Sequence, residues 1–147
     1  MPAVLLIHPP VAKACEPPAG IARLAAALRG AGIPCRVLDA NLEGQLHLLE
    51  QPRQIADTWT RRAVNSRDRH LAALRTFDTY RAADRYRRAV SDLSRLLAMA
   101  GRDCGAAVGL ADYQQDGFSP LSSADLLRAA EQPGANPFFP WFSRRLP

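Results

Sequence analysis

A chain of 147 residues, 48% hydrophobic and 22% charged, is long enough to bury one core and too apolar to stay disordered. Its formal charge of +5 comes almost wholly from arginine, with Lys13 the only lysine. No run of about eighteen apolar residues is present to cross a membrane, and Met1–Ile7 lacks the basic flank of a secretory signal. With three cysteines spread along the chain, a cytoplasmic protein is expected.

Ala3–Ile7 is continuously apolar, the pattern of a parallel strand buried on both faces. His8-Pro9-Pro10 stops it, because proline has no N–H for a ladder. Beyond Gly20, apolar Ile21, Leu24, Ala25 and Leu28 recur at helical spacing, and Gly30 and Gly32 end that helix. Cys35–Leu38 reads as the next strand, with Asp39-Ala40-Asn41 at its carboxyl end. Strand, helix and strand make one βαβ unit with a right-handed crossover. Ligands of open α/β sheets bind outside the carboxyl ends of the strands, so the loops 8–20 and 39–44 define a candidate site.

The segment 45–103 reads as a helical insertion: Gln45–Gln51, stopped near Pro52, then Arg53–Val64 and Asp68–Leu74. The clearest helix runs over Thr79–Ala100, where Tyr80, Ala83, Tyr86, Val90, Leu93, Leu97 and Ala100 form a stripe expected to be core. His70 falls in a charged stretch and is read as solvated. Arginines here alternate with Asp68, Asp78, Asp84 and Asp92, which suits a solvated face with pairs such as Asp84–Arg88. No nucleic-acid-binding signature accompanies them, so nucleic acid is not an expected partner.

Ala106–Ala111 is the third strand candidate, ending at Asp112-Tyr113. Ser122 or Ser123 then caps a helix over Asp125–Glu131. In the tail, Phe138, Phe139, Trp141 and Phe142 stand between Pro137, Pro140 and Pro147, which forbid a long regular element. Four large aromatics must fold back on the domain or dock on a partner.

The fold class expected is α/β: a Rossmann-like, three-layer parallel sheet of few strands, its first strand central, with a large helical insertion. One domain would span 1–147, as a βαβ unit (1–44), the insertion (45–103), and a third strand, helix and aromatic Pro-rich tail (104–147).

LLIHPP, EPPAGIARLAAALRGAG and VLDAN, in that order, resemble the start of the cobalamin-binding domain of cobalamin-dependent radical-SAM enzymes. Pro9, Pro10, Pro17, Pro18, Gly20, Leu24, Ala25, Leu28, Gly32 and Asp39 carry the resemblance. It covers residues 3–44 and, more loosely, 106–147. It implies a cobalamin-binding module, with His8, Pro9, Pro10, Glu16, Pro17, Pro18, Gly20, Asp39, Asn41 and Asp112 as cofactor-binding residues. Histidine-ligated cobalamin proteins carry Asp-x-His-x-x-Gly; Asp68-Arg69-His70 begins that motif, but Ala73 stands where its glycine belongs. The resemblance therefore implies cobalamin held without a histidine ligand to cobalt. Its radical-SAM half is signed by Cys-x3-Cys-x2-Cys, and Cys15, Cys35 and Cys104 lie too far apart for that loop. An iron–sulfur cluster and S-adenosylmethionine would belong to another domain or a partner subunit, and this chain would not be catalytic alone.

Glycine-rich nucleotide loops, the Gly-x-Ser-x-Gly elbow and His-Glu-x-x-His are all missing. Two other readings remain: an interaction scaffold with a degenerate Rossmann-like core, and a small enzyme using Glu16, Asp39, Glu43 and Asp112 as converging carboxylates. A narrow sheet with a free edge, together with the aromatic tail, leads us to expect a homodimer or a docked partner through residues 138–142.

Overall fold

The computed structural model describes residues 4–146 apart from 15, 17, 52, 53 and 56. Ala3, Cys15, Pro17, Pro52, Arg53 and Pro147 of the sequence reading thus lie outside the described residues. Strand β1 (Val4–His8) runs parallel to β2 (Cys35–Asp39), with Leu6 opposite Val37 and His8 opposite Asp39. Helix α1 (Ala19–Gly30) joins them and buries Ala25, while β2 buries Leu38. The strands are not covered on both faces as expected. Val4, Leu5, Ile7 and Val37 stay 37–43% exposed, because among the described residues no third strand joins the pair, and α1 and α2 leave these side chains partly open.

Helix α2 (Ala40–Glu50) starts directly after β2, so the expected loop 39–44 is helical. Asp39 caps it by accepting the Leu42 N–H at 3.0 Å. Helix α3 (Thr58–Ala73) is continuous where two helices were expected, since 65–67 contains no glycine or proline to break the ladder. Its cap is Asp57, which takes the Thr60 N–H at 2.8 Å. Those bonds from Thr60, with the Arg95 guanidinium at 2.8 Å, hold the Asp57 carboxyl below the usual carboxylate range. The expected helix over 79–100 is divided at Ala82 into α4 (Phe77–Arg81) and α5 (Ala83–Arg102).

The core is helical. Leu93, Leu96, Leu97 and Ala100 of α5 pack with Ala63 of α3, Leu48 and Leu49 of α2, and Phe138. Two expectations fail here. Tyr80 and Tyr86 are exposed, because the α5 stripe outruns the core at its N-terminal end. His70 is buried instead of solvated, with Nε2 2.8 Å from Asp92 Oδ2, so the two helices share a polar pair inside their contact. Asp84–Arg88 is not among the ion pairs of the described residues.

Strand β3 (Ala106–Val108) does not extend the parallel sheet. It pairs antiparallel with β4 (Tyr113–Gln115) in a separate sheet, the chain being reversed where Gly109 N–H bonds Asp112 O at 2.9 Å. Ala106 and Val108 are held by the α5 core, which keeps β3 from β1. The first strand is accordingly not central, and the chain is a mixed α/β protein, mostly helical, with a two-stranded parallel sheet.

Helix α6 (Ser123–Glu131) follows, capped by Ser122, one of the two serines expected there, and a turn of 3-10 helix at Pro133–Ala135 leads to α7 (Phe139–Arg145). Pro140 sits in the first turn of α7, where its missing N–H costs no bond. The tail folds back: Phe138 is buried on α2, so close that a Cβ at Gly44 would lie 3.0 Å from its ring. Trp141 and Phe142 are half-buried and meet edge-on, and Phe139 is exposed. Among the described residues no helix is long and apolar enough to cross a membrane.

Candidate functional site

The loop after β1 is fixed from α2. Asn41, buried in the first turn of α2, accepts the Ala12 N–H at 3.0 Å and donates to Ala12 O at 2.9 Å. Its amide thus satisfies both polar groups of one loop residue, as a neighbouring strand would. Gln45, one turn on and also buried, donates to Asn41 Oδ1 at 3.0 Å and fixes the amide's orientation. The loop is therefore pinned at Ala12, near the carboxyl end of the parallel pair.

Beneath it lies an open hollow of about 290 Å³, lined by His8, Ala12, Lys13, Glu16, Pro18, Ala19, Gly20 and Ile21. The rim carries the ion pair Lys13–Glu16 at 3.0 Å, exposed on both sides and worth under about 1 kcal/mol. Gly20 has ordinary helical backbone, and a Cβ there would meet no protein atom within 4 Å. Neither strain nor packing demands glycine at 20, which lines the hollow.

Of the residues that the sequence placed in the site, His8, Glu16, Pro18 and Gly20 line this hollow. Pro9 and Pro10 belong to the loop but not to the lining, and Pro17 lies outside the described residues. Asp39 and Asn41 act one step removed, as helix cap and loop clamp. Asp112 is elsewhere, in the β3–β4 turn beside a hollow that also includes Arg102 and Asp116. Ala12, Lys13 and Ala19 fall inside the expected loop but were not singled out, and Ile21 lies just beyond it; the isolated lysine inside a proline-rich loop was the available signal.

The expected gathering of carboxylates does not form. Asp39 is a cap, Glu43 pairs with Arg145 at 3.2 Å, and Asp112 is in the turn that joins the strands of the other sheet. Among the described residues no three His, Cys, Asp or Glu side chains come together to hold a metal ion.

A second hollow, of about 480 Å³, was not anticipated: it lies between β4, α6 and the 3-10 turn, with Tyr113, Phe118, Pro120 and Leu126 in its wall. Several of its polar groups are already engaged. Tyr113 OH donates to Gln115, whose Nε2 donates to Ala135 O at 3.2 Å, and Asp125 takes the Ser119 N–H and Arg128. Burial pushes the Tyr113 phenol above its ordinary pKa, so it stays a protonated donor.

No protein-family model matches the chain, and no curated protein or solved structure matches it either.

Proposed function

We propose that this chain is a cobalamin-binding module, or part of one, serving radical-SAM methyl-transfer chemistry carried by another domain or subunit. The observation that carries this reading is the Asn41 clamp. A buried amide holds the proline-rich loop at Ala12, near the strand ends, and leaves the space before Gly20 empty of protein. The residues fit one part of such a site. At about 290 Å³ the hollow sits at the bottom of the range for small-molecule pockets, enough for one edge of a corrin or its nucleotide tail. Pro18, Gly20 and Ile21 would give the apolar wall, with Lys13 and Glu16 as polar rim. The bound group would supply a cobalt centre able to carry a methyl group. The chain's own part is to bind and orient it from one side. The rest of the wall, and the further strands of a Rossmann-like sheet, would come from the radical-SAM domain or subunit. A reducing, cytoplasmic setting suits this chemistry.

A second reading is favoured by the open β1–β2 pair, since a two-stranded sheet with apolar faces seldom stands alone. On that reading the βαβ unit is scaffold and the protein works by docking, as a homodimer or on a partner, with Phe139 beside the contact.

Titrating the full chain with hydroxocobalamin, followed by absorbance, separates the two. Weak binding is expected, lost in Gly20→Trp, which fills the hollow, and His8→Ala is expected to leave the cobalt spectrum unaltered. Equal affinity in Gly20→Trp sinks the first reading. A concentration-independent monomer in light scattering sinks the second.

A further inference from the structure

Helix α5 outruns the core it serves. Ala100, Leu97, Leu93 and Ala89 on one stripe are buried, yet every residue over 83–88 is exposed. The stripe continues there in aromatic form, through Tyr86 and, across the break at Ala82, Tyr80 and Phe77, which are 37, 56 and 72% exposed. These side chains are held in place. The Tyr80 and Tyr86 rings lie 5.4 Å apart, and Tyr80 OH donates to Leu74 O at 2.8 Å. Arg81 lies over the Phe77 ring at 5.1 Å.

Charge around this corner is one-sided. From 75 to 88 the chain carries five arginines against Asp78 and Asp84. None of the five forms an ion pair among the described residues, whereas Arg67, Arg95, Arg128 and Arg145 each have a carboxylate partner. None of these residues lines any of the hollows described above.

We propose that the α4–α5 corner is a docking surface for an acidic face of another protein. Tyrosine, phenylalanine and arginine are the side chains enriched in interface centres, and the uncompensated guanidinium charge selects carboxylates opposite. Single-stranded nucleic acid is the poorer occupant. It needs free ring faces along an electropositive groove, whereas here Arg81 covers a face of Phe77 and Tyr80 packs on Tyr86.

Fluorescence anisotropy on the full chain tests this. The probes are a labelled amphipathic peptide of Glu, Asp, Leu and Phe, its counterpart with Lys for the acids, and oligo-dT. The acidic peptide is expected to bind. Arg81→Glu with Arg85→Glu and Arg88→Glu should weaken it at least about tenfold and create affinity for the Lys peptide. That gain shows that the variant is folded. Tyr86→Ser, which leaves the charge unchanged, should cost roughly tenfold as well. No binding of the acidic peptide, or equal binding by the variants, overturns the proposal. So does tighter binding of oligo-dT, which would make the surface a nucleic-acid site.

Discussion

In the βαβ unit Leu5, Ile7 and Val37 stand in strands yet remain accessible to solvent, whereas Leu96 and Leu97 of α5 are wholly buried. The half that carries the candidate site is not the half that carries the core. Helix α2 joins them: Asn41 and Gln45 face the proline-rich loop, while Leu48 and Leu49, two turns on, enter the helical core. A binding loop can thus be precisely held in a unit that buries little of its own, if one helix anchors it to a stable neighbour.

The sharpest way to break this contrast is to truncate one apolar residue in each half. Leu97→Ala should destabilise by about 4 kcal/mol, by lost transfer energy and a cavity. Ile7→Ala should cost about 1–2 kcal/mol, because over a third of the residue is already in water. Urea denaturation of both variants measures this, and equal costs would mean that the sheet is covered in solution.

His70→Ala should cost about 3 kcal/mol, since it strands the buried Asp92 carboxylate without its partner. Adding Asp92→Ala should then cost less than the two changes summed; additive losses would show that the pair does not interact. Asn41→Ala should cost about 1–2 kcal/mol. Hydrogen exchange should place that loss mainly at Ala12 and its neighbours, with α5 protection unchanged. Faster exchange throughout α5 would mean that the clamp and the core are one cooperative unit.

The smallest effect concerns pH. Burial, then the Arg144 charge, lower the His47 pKa from 6.5, and Arg144 donates to His47 Nε2 at 3.4 Å. The unfolded chain protonates first as pH falls through about 6.5, so stability holds above that value and declines below it. His47 followed by NMR should titrate below the unfolded reference and move upward in Arg144→Ala. An unmoved titration would mean that α7 does not sit on α2 in solution.

What was legible in the sequence was local. The α1 boundaries follow from apolar spacing and terminal glycines, and residue type alone narrows the α6 cap to Ser122 or Ser123. The strand-end loop 8–20 was legible because β1 stops at a proline pair, and four of the residues that the resemblance picked out there line the hollow. What escaped was set at a distance. AAVGLA has the same composition whether its partner is β1 or β4, and only packing on α5 decides. His70 looks solvated until Asp92, 22 positions on, is brought opposite. The tyrosines carry the right period but lie beyond the end of the core, and period alone does not say where a core ends.

The seat of the tail on α2 also has a consequence in time. His47 meets Arg144 across 97 positions of chain, and Phe138 closes on Gly44 over nearly the same span. At ordinary translation speeds of about 5–20 residues per second, α2 emerges roughly 5–20 s before the segment that covers it. During synthesis the flat patch at Gly44 is therefore open, available to a chaperone or to a second nascent chain, and the aromatic plug that shuts it comes among the last residues of this sequence to be made.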